Sequence, residues 1–242
     1  MMSASLMSCA RKRAAAAPDP LSIFGSTLGM WLTHVTGVSG SPVSTWGDQS
    51  GKGNDATEAT NQPTYTSGTG VIFDGTNDRL EVPDDATLDA TTTLIVGISV
   101  NPDVTTSNRV PICKSQAGSG TWSMQSNTTG MRWHAGTPGS NFGEISSALS
   151  AGVTSRIIVR YDGSLSGNSN RLRMYLNGSL QSPSYTGTIP STLTADTNSV
   201  WLGMYGNAAQ FWDGVIKGAV IAIGHSTADQ DIADLDTYLS TL

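Results

Sequence analysis

Between Leu28 and Ile223, short runs of alternating apolar and polar residues are separated by clusters of Gly, Asn, Asp, Pro and Ser. Successive side chains of a β-strand point to opposite faces, so the alternation predicts strands and the clusters predict turns. The predicted strands are 28–33, 70–73, 79–82, 92–100, 110–114, 121–125, 131–134, 155–161, 171–176, 199–204 and 210–223. Roughly a dozen strands form two stacked sheets, so we expect an all-β, two-sheet antiparallel sandwich.

The segment RLRMYLNG shows the two faces of one predicted strand. Leu172, Met174 and Leu176 lie on one face, which we expect in the core, whereas Tyr175 and the arginines lie on a face that we expect in water. The dipeptide 177–178 is Asn-Gly, which supplies the two positive φ angles of a type I′ turn. The chain is therefore predicted to turn back at once as a hairpin, through Ser179 to Tyr185.

A second strand, in TTLIVGISVNP, carries an apolar register from Leu94 to Val100 that we expect to be buried. Gly97 and Ser99 alternate with this register on the opposite face. Small residues at these positions predict a close neighbour or a concave surface there.

One helix is predicted, at the C-terminus, in the segment STADQDIADLDTYL. Ser226 is the expected N-cap, acidic residues crowd the first turns, and Ile232, Leu235 and Leu239 recur at helical spacing. We expect this helix to pack over one end or edge of the sandwich.

The composition describes a turn-rich β protein with a weakly charged surface. The chain has 242 residues, of which 27 are Gly and 13% are charged, and this length suits one main domain. A net charge of −6 with four lysines argues against binding to nucleic acid or to anionic membranes, which requires clustered cations. No apolar run approaches the ~20 residues of a transmembrane helix, so no membrane insertion is expected. Two cysteines, Cys9 and Cys113, encode no disulfide framework.

The N-terminal segment differs from the rest of the chain. In MMSASLMSCARKRAAAA the cations follow the weakly apolar part, which is the reverse of the order in a signal peptide. We therefore expect no cleaved signal. Residues 1–25 are predicted to be a flexible or docking arm, and residues 26–242 the β-sandwich domain.

The order of several segments resembles the laminin-G-like or concanavalin A-like lectin/glucanase superfamily. The carrying segments are MWLTHVTG, VSTWGDQSGKGNDATEATNQPTYTSG, VIFDGTNDRLEVP, SRIIVRYDGSLSGNSNRLRMYLNG and WLGMYGNAAQFWDGVIKGAVIAIGHSTADQDIADLDTYL. They cover about residues 28–242 in the order that the family shows. The resemblance implies a jelly-roll sandwich with one short C-terminal helix.

The loop WGDQSGKGNDAT holds acids and amides but no large apolar residue after its tryptophan. Asp48, Ser50, Asn54 and Asp55 can bond backbone amides and so hold a tight connection, which favours a structural role. The alternative is calcium, which many relatives implied by the resemblance bind through loop carboxylates. The candidate calcium ligands are Asp48, Asp55, Asp74, Asn77 and Asp78. We expect no cofactor to be required.

Catalytic patterns are weak in this sequence. Glu58, Glu81 and Glu144 are the three glutamates, and no strand carries an alternating pair of them as glycoside hydrolysis requires. The three histidines lack zinc-ligand spacing, and no G-x-S-x-G motif occurs. We therefore expect a protein that is not an enzyme.

Sugar binding pairs an exposed aromatic ring with polar side chains, and two segments combine these residue types, TWSMQSNTTGMRWHAGTPGSNF and MYGNAAQFWDG. The candidate ligand-binding residues are Trp122, Arg132, Trp133, His134, Asn141, Tyr205, Asn207, Gln210 and Trp212. For the aromatic residues among them, packing in the core is the alternative, because Trp122 and Trp133 each share a strand face with a methionine.

The resemblance, together with a basic, Ala-rich arm, suggests a bacteriophage virion protein. The predicted function is a non-catalytic carbohydrate-binding or adhesion domain on the virion surface, as a capsid decoration or tail fibre component. Its expected partners are a host-surface polysaccharide and, through the arm, capsid or tail proteins; a homo-oligomer is left open. One alternative is a structural cement protein that binds no sugar. Another is a secreted or cell-surface bacterial polysaccharide-binding module or glycoside hydrolase.

Overall fold

A computed structural model describes residues 17–116, 119–136, 139–206, 210–225 and 228–242. The strands are β1 Leu28–Thr33, β2 Val38–Ser39, β3 Thr45–Trp46, β4 Ala56–Thr57, β5 Thr64–Thr66, β6 Gly70–Asp74, β7 Leu80–Val82, β8 Thr93–Pro102, β9 Ile112–Gln116, β10 Ser119–Asn127, β11 Gly130–Ala135, β12 Phe142–Ile145, β13 Ser155–Asp162, β14 Leu172–Leu176, β15 Ser179–Leu180, β16 Ser184–Thr186, β17 Val200–Leu202 and β18 Asp213–Ile223. The α-helices are α1 Pro20–Phe24, α2 Asn168–Arg171 and α3 Asp229–Leu239, and short 3-10 turns span Gly25–Thr27 and Ala86–Leu88.

The strands form two antiparallel sheets. Within the described residues, one sheet has eight strands in the order β15-β14-β13-β8-β18-β6-β5, with β1 beside β18. The other has ten, in the order β16-β12-β11-β10-β9-β17-β7-β4-β3-β2. The predicted two-sheet sandwich with a short C-terminal helix is confirmed.

The core lies between the sheets and contains the apolar register of each long strand. Leu94, Val96, Ile98 and Val100 are at most 1% exposed, as predicted for β8. Leu172 and Met174 of β14 are fully buried in the same cluster, and Leu176 packs partly against it. Asn177 and Gly178 have φ angles of 49° and 81°, which confirms the predicted turn after β14.

Helices α1 and α3 cover the central part of the outward face of the eight-stranded sheet, which is therefore not in water. Ile95, Ile158 and Val220 form a second apolar cluster with Leu235 and Leu239 of α3. The prediction that α3 packs over an end or edge is therefore wrong, since the helix lies on the sheet face. Gly97 is small for this reason: a Cβ there would lie 2.8 Å from Leu235 Cδ2. The expectation of a close neighbour at Gly97 is confirmed.

Two further predictions on this side of the molecule need correction. The alternation predicts Tyr175 in water, but the residue is 7% exposed because it packs in the cluster under α3. The N-cap of α3 is Ala228 and not Ser226, since the helix begins at Asp229; Ser226 itself lies outside the described residues.

The predicted arm, residues 1–25, includes a folded part. Helix α1 has Asp19 as its N-cap, with the carboxylate accepting from Ser22 N at 2.8 Å. Phe24 is 3% exposed in the cluster shared with α3, so this part of the arm packs on the domain. Residues 1–16 lie outside the described residues, and the division of the chain stays a prediction.

Candidate functional site

The ten-stranded sheet has one face towards the core and one face outward, which we name the open face. Strand pairing places one row of outward residues across it: Thr57, Glu81, Trp201, Cys113, Ser123, His134, Phe142 and Thr186. Their chain neighbours, such as Val200 and Leu202 beside Trp201, point into the core. Helices α1 and α3 lie on the other sheet, so this face is available for a site.

A segment that we name the crossing segment, residues 203–206 and 210–212, lies over the middle of the open face. Cys113 Sγ is 3.4 Å from Met204 O, and Tyr205 Oη donates to Gln116 O at 3.3 Å. Farther along, Gln125 Nε2 donates to Gln210 Oε1 at 2.9 Å. The crossing segment therefore buries the centre of the row and separates two recessed regions.

On one side of the crossing segment lies a recess that we name the Trp201 cleft. Its inner part has a volume of about 270 Å³ and is lined by Arg79, Gln116, Trp201, Met204 and Gly206. Its outer part, of about 530 Å³, is lined by Ser44, Thr57, Glu58, Ala59, Gln62, Arg79 and Glu81. Arg79 lines both parts, so its side chain borders each of them. The volume of the outer part lies within the range of small-molecule sites.

Charged groups in the Trp201 cleft are held in fixed positions. Arg79 Nε donates to Glu58 Oε2 at 2.7 Å, while Glu58 Oε1 accepts from the amides of residues 59–61. Burial alone would raise the pKa of Glu58, but the amide bonds and Arg79 outweigh it and hold the pKa below its usual value. Glu81 Oε1 accepts from Ser199 Oγ at 2.6 Å. The cleft thus presents an indole, a guanidinium and oriented carboxylates.

On the other side of the crossing segment, His134 is 2% exposed and joins a chain of hydrogen bonds. Its Nδ1 accepts from Gly139 N at 3.2 Å, and its Nε2 lies 3.2 Å from Gln125 Oε1. Burial, reinforced by the nearby Arg132, lowers the pKa of His134 to about 4, although Glu144 opposes this. The ring is therefore neutral at physiological pH.

The predicted ligand-binding residues fall in different places. Trp122, Trp133 and Trp212 are 0%, 0% and 1% exposed in the core, so the core alternative holds and their rings cannot reach a surface ligand. Tyr205 is 7% exposed in the crossing segment, where it covers Cys113. The three tryptophans are corrected because apolar burial between the sheets decides their orientation, and Tyr205 is corrected because it packs on Cys113 under the crossing segment.

The polar candidates are nearer to the surface. Arg132 and His134 face outward as the alternation predicts, and Arg132 Nε donates to Glu144 Oε2 at 2.7 Å. Gln210 lines a cavity of about 600 Å³, and Asn141 lines another of about 320 Å³ at the sheet end. Asn207 lies outside the described residues. The predicted set is therefore dispersed and does not form one site.

Sequence reasoning did not select the residues that line the Trp201 cleft. The outward position of Trp201 could have been found, because it alternates with the apolar Val200 and Leu202. Arg79 and Gln116 carry no comparable signal, since they meet Trp201 only through the sheet order and the crossing segment.

The predicted calcium ligands in the loop after Trp46 bond backbone amides. Asp48 Oδ1 accepts from Trp31 N at 2.8 Å and from Ser50 N at 2.9 Å, and its Oδ2 accepts from Asn54 N at 3.1 Å. Asp55 Oδ1 accepts from Asp48 N at 2.7 Å. The structural role predicted for this loop is therefore confirmed.

The candidate calcium ligands after β6 make similar bonds. Asp74 Oδ1 accepts from the amides of Thr76, Asn77 and Asp78, and Asp78 Oδ2 accepts from Asp74 N at 2.9 Å. Burial raises the pKa of Asp78 to about 6. In the part of the chain that the structure describes, no group of three or more His, Cys, Asp or Glu side chains is arranged to hold a metal ion. Calcium binding stays a prediction.

Helices long and apolar enough to cross a membrane do not occur among the described residues. Among curated protein sequences, none matches this chain significantly.

Solved structures with a similar fold include carbohydrate-active and receptor-binding proteins. Domain 4 of AbnA, a GH43 extracellular arabinanase from Geobacillus stearothermophilus solved with arabinotriose, has 15% identity and a TM-score of 0.63, covering 87% of this chain and 98% of that one. Trypanosoma rangeli sialidase has 15% identity and a TM-score of 0.63, covering 93% of this chain and 34% of that one. The binding domain of botulinum neurotoxin DC, in complex with rat synaptotagmin II, has 14% identity and a TM-score of 0.57, covering 88% of this chain and 52% of that one.

These likenesses show the fold alone, and the chain spans about a third of the sialidase and about half of the neurotoxin domain. The family is shown by sequence. The Laminin_G_3 family model, described as concanavalin A-like lectin/glucanases superfamily, matches residues 74–229, which is more than half of the chain. The chain therefore belongs to the concanavalin A-like lectin/glucanases superfamily.

Proposed function

We propose that this protein is a non-catalytic carbohydrate-binding domain and that the Trp201 cleft receives the sugar. One observation carries the proposal: a half-buried indole lines a recess on the open face together with the side chains of Arg79 and Gln116. Sugars present apolar C–H faces edged by hydroxyl groups. An aromatic ring flanked by donors and acceptors matches that surface.

The fixed geometry of the cleft supports this role. The Glu58 carboxylate accepts three backbone amide bonds as well as the bond from Arg79 Nε, so the guanidinium is held in one orientation before a ligand arrives. A preorganised donor loses little conformational entropy on binding. The neighbours that bind arabinotriose or sialic acid support a sugar ligand by fold analogy.

The proposal of binding without cleavage rests on Glu58. Glycoside hydrolysis requires one carboxyl group with a raised pKa to protonate the leaving oxygen. Glu58 has a lowered pKa and uses both oxygens to hold backbone amides and Arg79, which suits an orienting role. Glu81 shares the cleft with it. Release of reducing ends from a bound polysaccharide that Glu81→Gln abolishes would overturn the non-catalytic assignment.

Binding is tested on an array of bacterial surface polysaccharides that also includes arabinotriose. The Trp201→Ala variant should bind the glycans retained by the native protein at least ~10-fold more weakly, since central tryptophans dominate binding energies. Trp31→Ala is the matched control, because Trp31 is a half-buried indole on the opposite side, bonded to Tyr238 Oη. Equal weakening by both variants, or none by Trp201→Ala, would refute the role of the cleft.

We further propose that the domain is displayed on a virion surface, as a capsid decoration or tail fibre component, with the cleft towards a host polysaccharide. The basic N-terminal segment supports docking to capsid or tail proteins. Helix α1 packs with α3 on the helix-covered face, opposite the cleft, so a partner held by this segment leaves the cleft free. Deleting residues 1–16 should abolish attachment to particles and preserve folding and glycan binding; retained attachment would reject the docking role.

A structural cement protein is the second candidate. It predicts no retention of any glycan on the array, and a loss of particle stability when the protein is removed.

Calcium is proposed as an optional ligand and is tested by thermal unfolding in calcium and in EDTA; a higher Tm in calcium that Asp74→Asn removes would support it.

A further inference from the structure

A second cavity lies where β10 ends, on the other side of the crossing segment from the Trp201 cleft. It has a volume of about 600 Å³, and its lining residues are Gly75, Thr76, Thr106, Ser107, Asn108, Arg109, Gln210 and Phe211. We name it the Gln210 cavity. Its volume is in the range that receives a sugar residue or another small ligand.

The chain of hydrogen bonds from His134 sets which group Gln210 presents to this cavity. A backbone N–H can only donate, so Gly139 N makes Nδ1 of His134 the acceptor. In the neutral ring Nε2 then carries the proton and donates to Gln125 Oε1. Gln125 in turn donates through Nε2 to Gln210 Oε1. The oxygen of the Gln210 side chain is thus occupied, and its Nε2 group is left as a donor. In the described part of the chain, no residue accepts a hydrogen bond from this Nε2.

Arg109 forms a rigid wall of the cavity. Its Nη1 donates to Gly75 O and to Phe211 O, each at 2.8 Å, and its Nε donates to Thr106 Oγ1 at 3.2 Å. These bonds join the turn after β6, the segment before β9 and the crossing segment. The cavity is thus preformed, which lowers the cost of binding.

The charges around the cavity disfavour an anionic ligand. Asp213 lies beside Gly75, and burial raises the pKa of its carboxyl group, Arg109 lowers it, and Asp103 and Asp74 raise it again. Asp213 thus interacts with two further carboxylates and one guanidinium, an excess of negative charge that disfavours a bound carboxylate. A neutral acceptor suits the free amide of Gln210 better. The half-buried Phe211 ring adds an apolar surface beside it.

We propose that the Gln210 cavity binds the acetamido group of an N-acetylated sugar. The acetamido carbonyl oxygen accepts from Gln210 Nε2, and the methyl group packs on Phe211. This inference rests on the proposed carbohydrate-binding function and adds a second subsite to it, which selects sugars with a 2-acetamido group over those with a 2-hydroxyl group. A site built around such a bond discriminates strongly against analogues that lack the partner atom.

The test uses glycan pairs that differ only in a 2-acetamido or a 2-hydroxyl group, with the full chain immobilised. We expect the acetamido members to bind at least ~10-fold more tightly. Gln210→Glu should remove this preference, because a carboxylate still accepts from Gln125 Nε2 but has no donor for the ligand. Gln181→Glu is the matched control, since Gln181 is half-buried at a distant edge and bonds Ser179 O. Equal binding within pairs, or a preference that survives in Gln210→Glu, overturns the proposal.

A second measurement separates this proposal from the first one. N-acetylglucosamine, N-acetylgalactosamine and their parent hexoses are titrated at millimolar concentration into the ¹⁵N-labelled chain. The side-chain amide signal of Gln210, assigned by its absence in Gln210→Glu, should shift with the N-acetylated sugars and not with the hexoses. No shift with either N-acetylated sugar overturns the Gln210 cavity. If the Gln210 signal shifts with the N-acetylated sugars while Trp201→Ala binds the polysaccharide array as tightly as the native protein, only the Trp201 cleft is refuted.

Discussion

Lys114 offers the sharpest test of how this sandwich is held together. Its side chain is fully buried. Lys114 is two residues after Ile112 on β9, so both side chains lie on the side of the strand that faces the core. The ammonium group lies 2.5 Å from Asp84 Oδ1 and 2.7 Å from Asn198 O. Asp89 Oδ1 is 3.2 Å away without hydrogen-bond geometry, and Asp196 Oδ1 is 3.8 Å away. One lysine thus joins the segment after β7 to the segment before β17.

Lys114→Met keeps most of the buried aliphatic volume and removes the charge. Losing one partner of a buried ion pair costs about 3–5 kcal/mol. The three carboxylates keep between 21% and 28% exposure, so water can solvate them again and the lower end of that range applies. We therefore expect a loss of about 3 kcal/mol in the free energy of unfolding. For a chain of this size that corresponds to a decrease in Tm of roughly 6–12 °C.

The assay is urea unfolding followed by tryptophan fluorescence, with Lys52→Met as the matched control. Lys52 is exposed in the loop after Trp46, so the same substitution there should change stability by less than about 0.5 kcal/mol. The double variant with Asp84→Asn should lose less than the sum of the two single variants, because the paired carboxylate is then neutral. A Lys114→Met protein within about 0.5 kcal/mol of the native stability would refute the reasoning.

Three further predictions concern a loop carboxylate, a glycine under a helix and a buried histidine. Asp48→Ala should lower the free energy of unfolding by about 2–3 kcal/mol, because its carboxylate satisfies the amides of Trp31, Ser50 and Asn54; urea unfolding measures this, and a neutral effect would contradict it. Gly97→Ala should cost about 1 kcal/mol and Gly97→Val about 3 kcal/mol, by pushing α3 from the sheet; equal stability of both variants would argue against this packing. The pKa of His134 is lowered from 6.5 to about 4, so its contribution to the free energy of unfolding is complete above pH ~6.5 and is lost as the pH falls towards 4. His134→Gln should make the free energy of unfolding less dependent on pH between these two values. An unchanged pH dependence would show that the buried His134 ring is not its cause.

Much of the secondary structure could be predicted because its signals are local. Strand β1 has the predicted bounds, and the ends of the other long strands lie within a few residues of prediction. The turn at Asn177 and Gly178 follows from two residues that tolerate positive φ. The strands that the alternation does not predict, β2–β5, β12 and β16, span two to four residues each, too few to show a period.

The candidate site was less predictable, since it depends on contacts that are distant in sequence. The exposed or buried state of a tryptophan depends on what faces it, and Trp133 meets Tyr161 of the other sheet at a centroid distance of 5.8 Å. Trp201 meets Arg79 and Gln116 only because β17 lies between β7 and β9. Such neighbours leave no spacing rule in the chain.

The sequence by itself determined the strands, the tight turns and the identity of the inward register, because alternation and turn chemistry act over a few residues. Only the tertiary structure decided which outward face is covered by helices, where the crossing segment lies, and which polar groups share a cavity. The physical reason is that strand order and layer packing arise from burying apolar surface between segments distant in sequence, such as Trp31 and Tyr238, which pack edge to face although they are 207 residues apart.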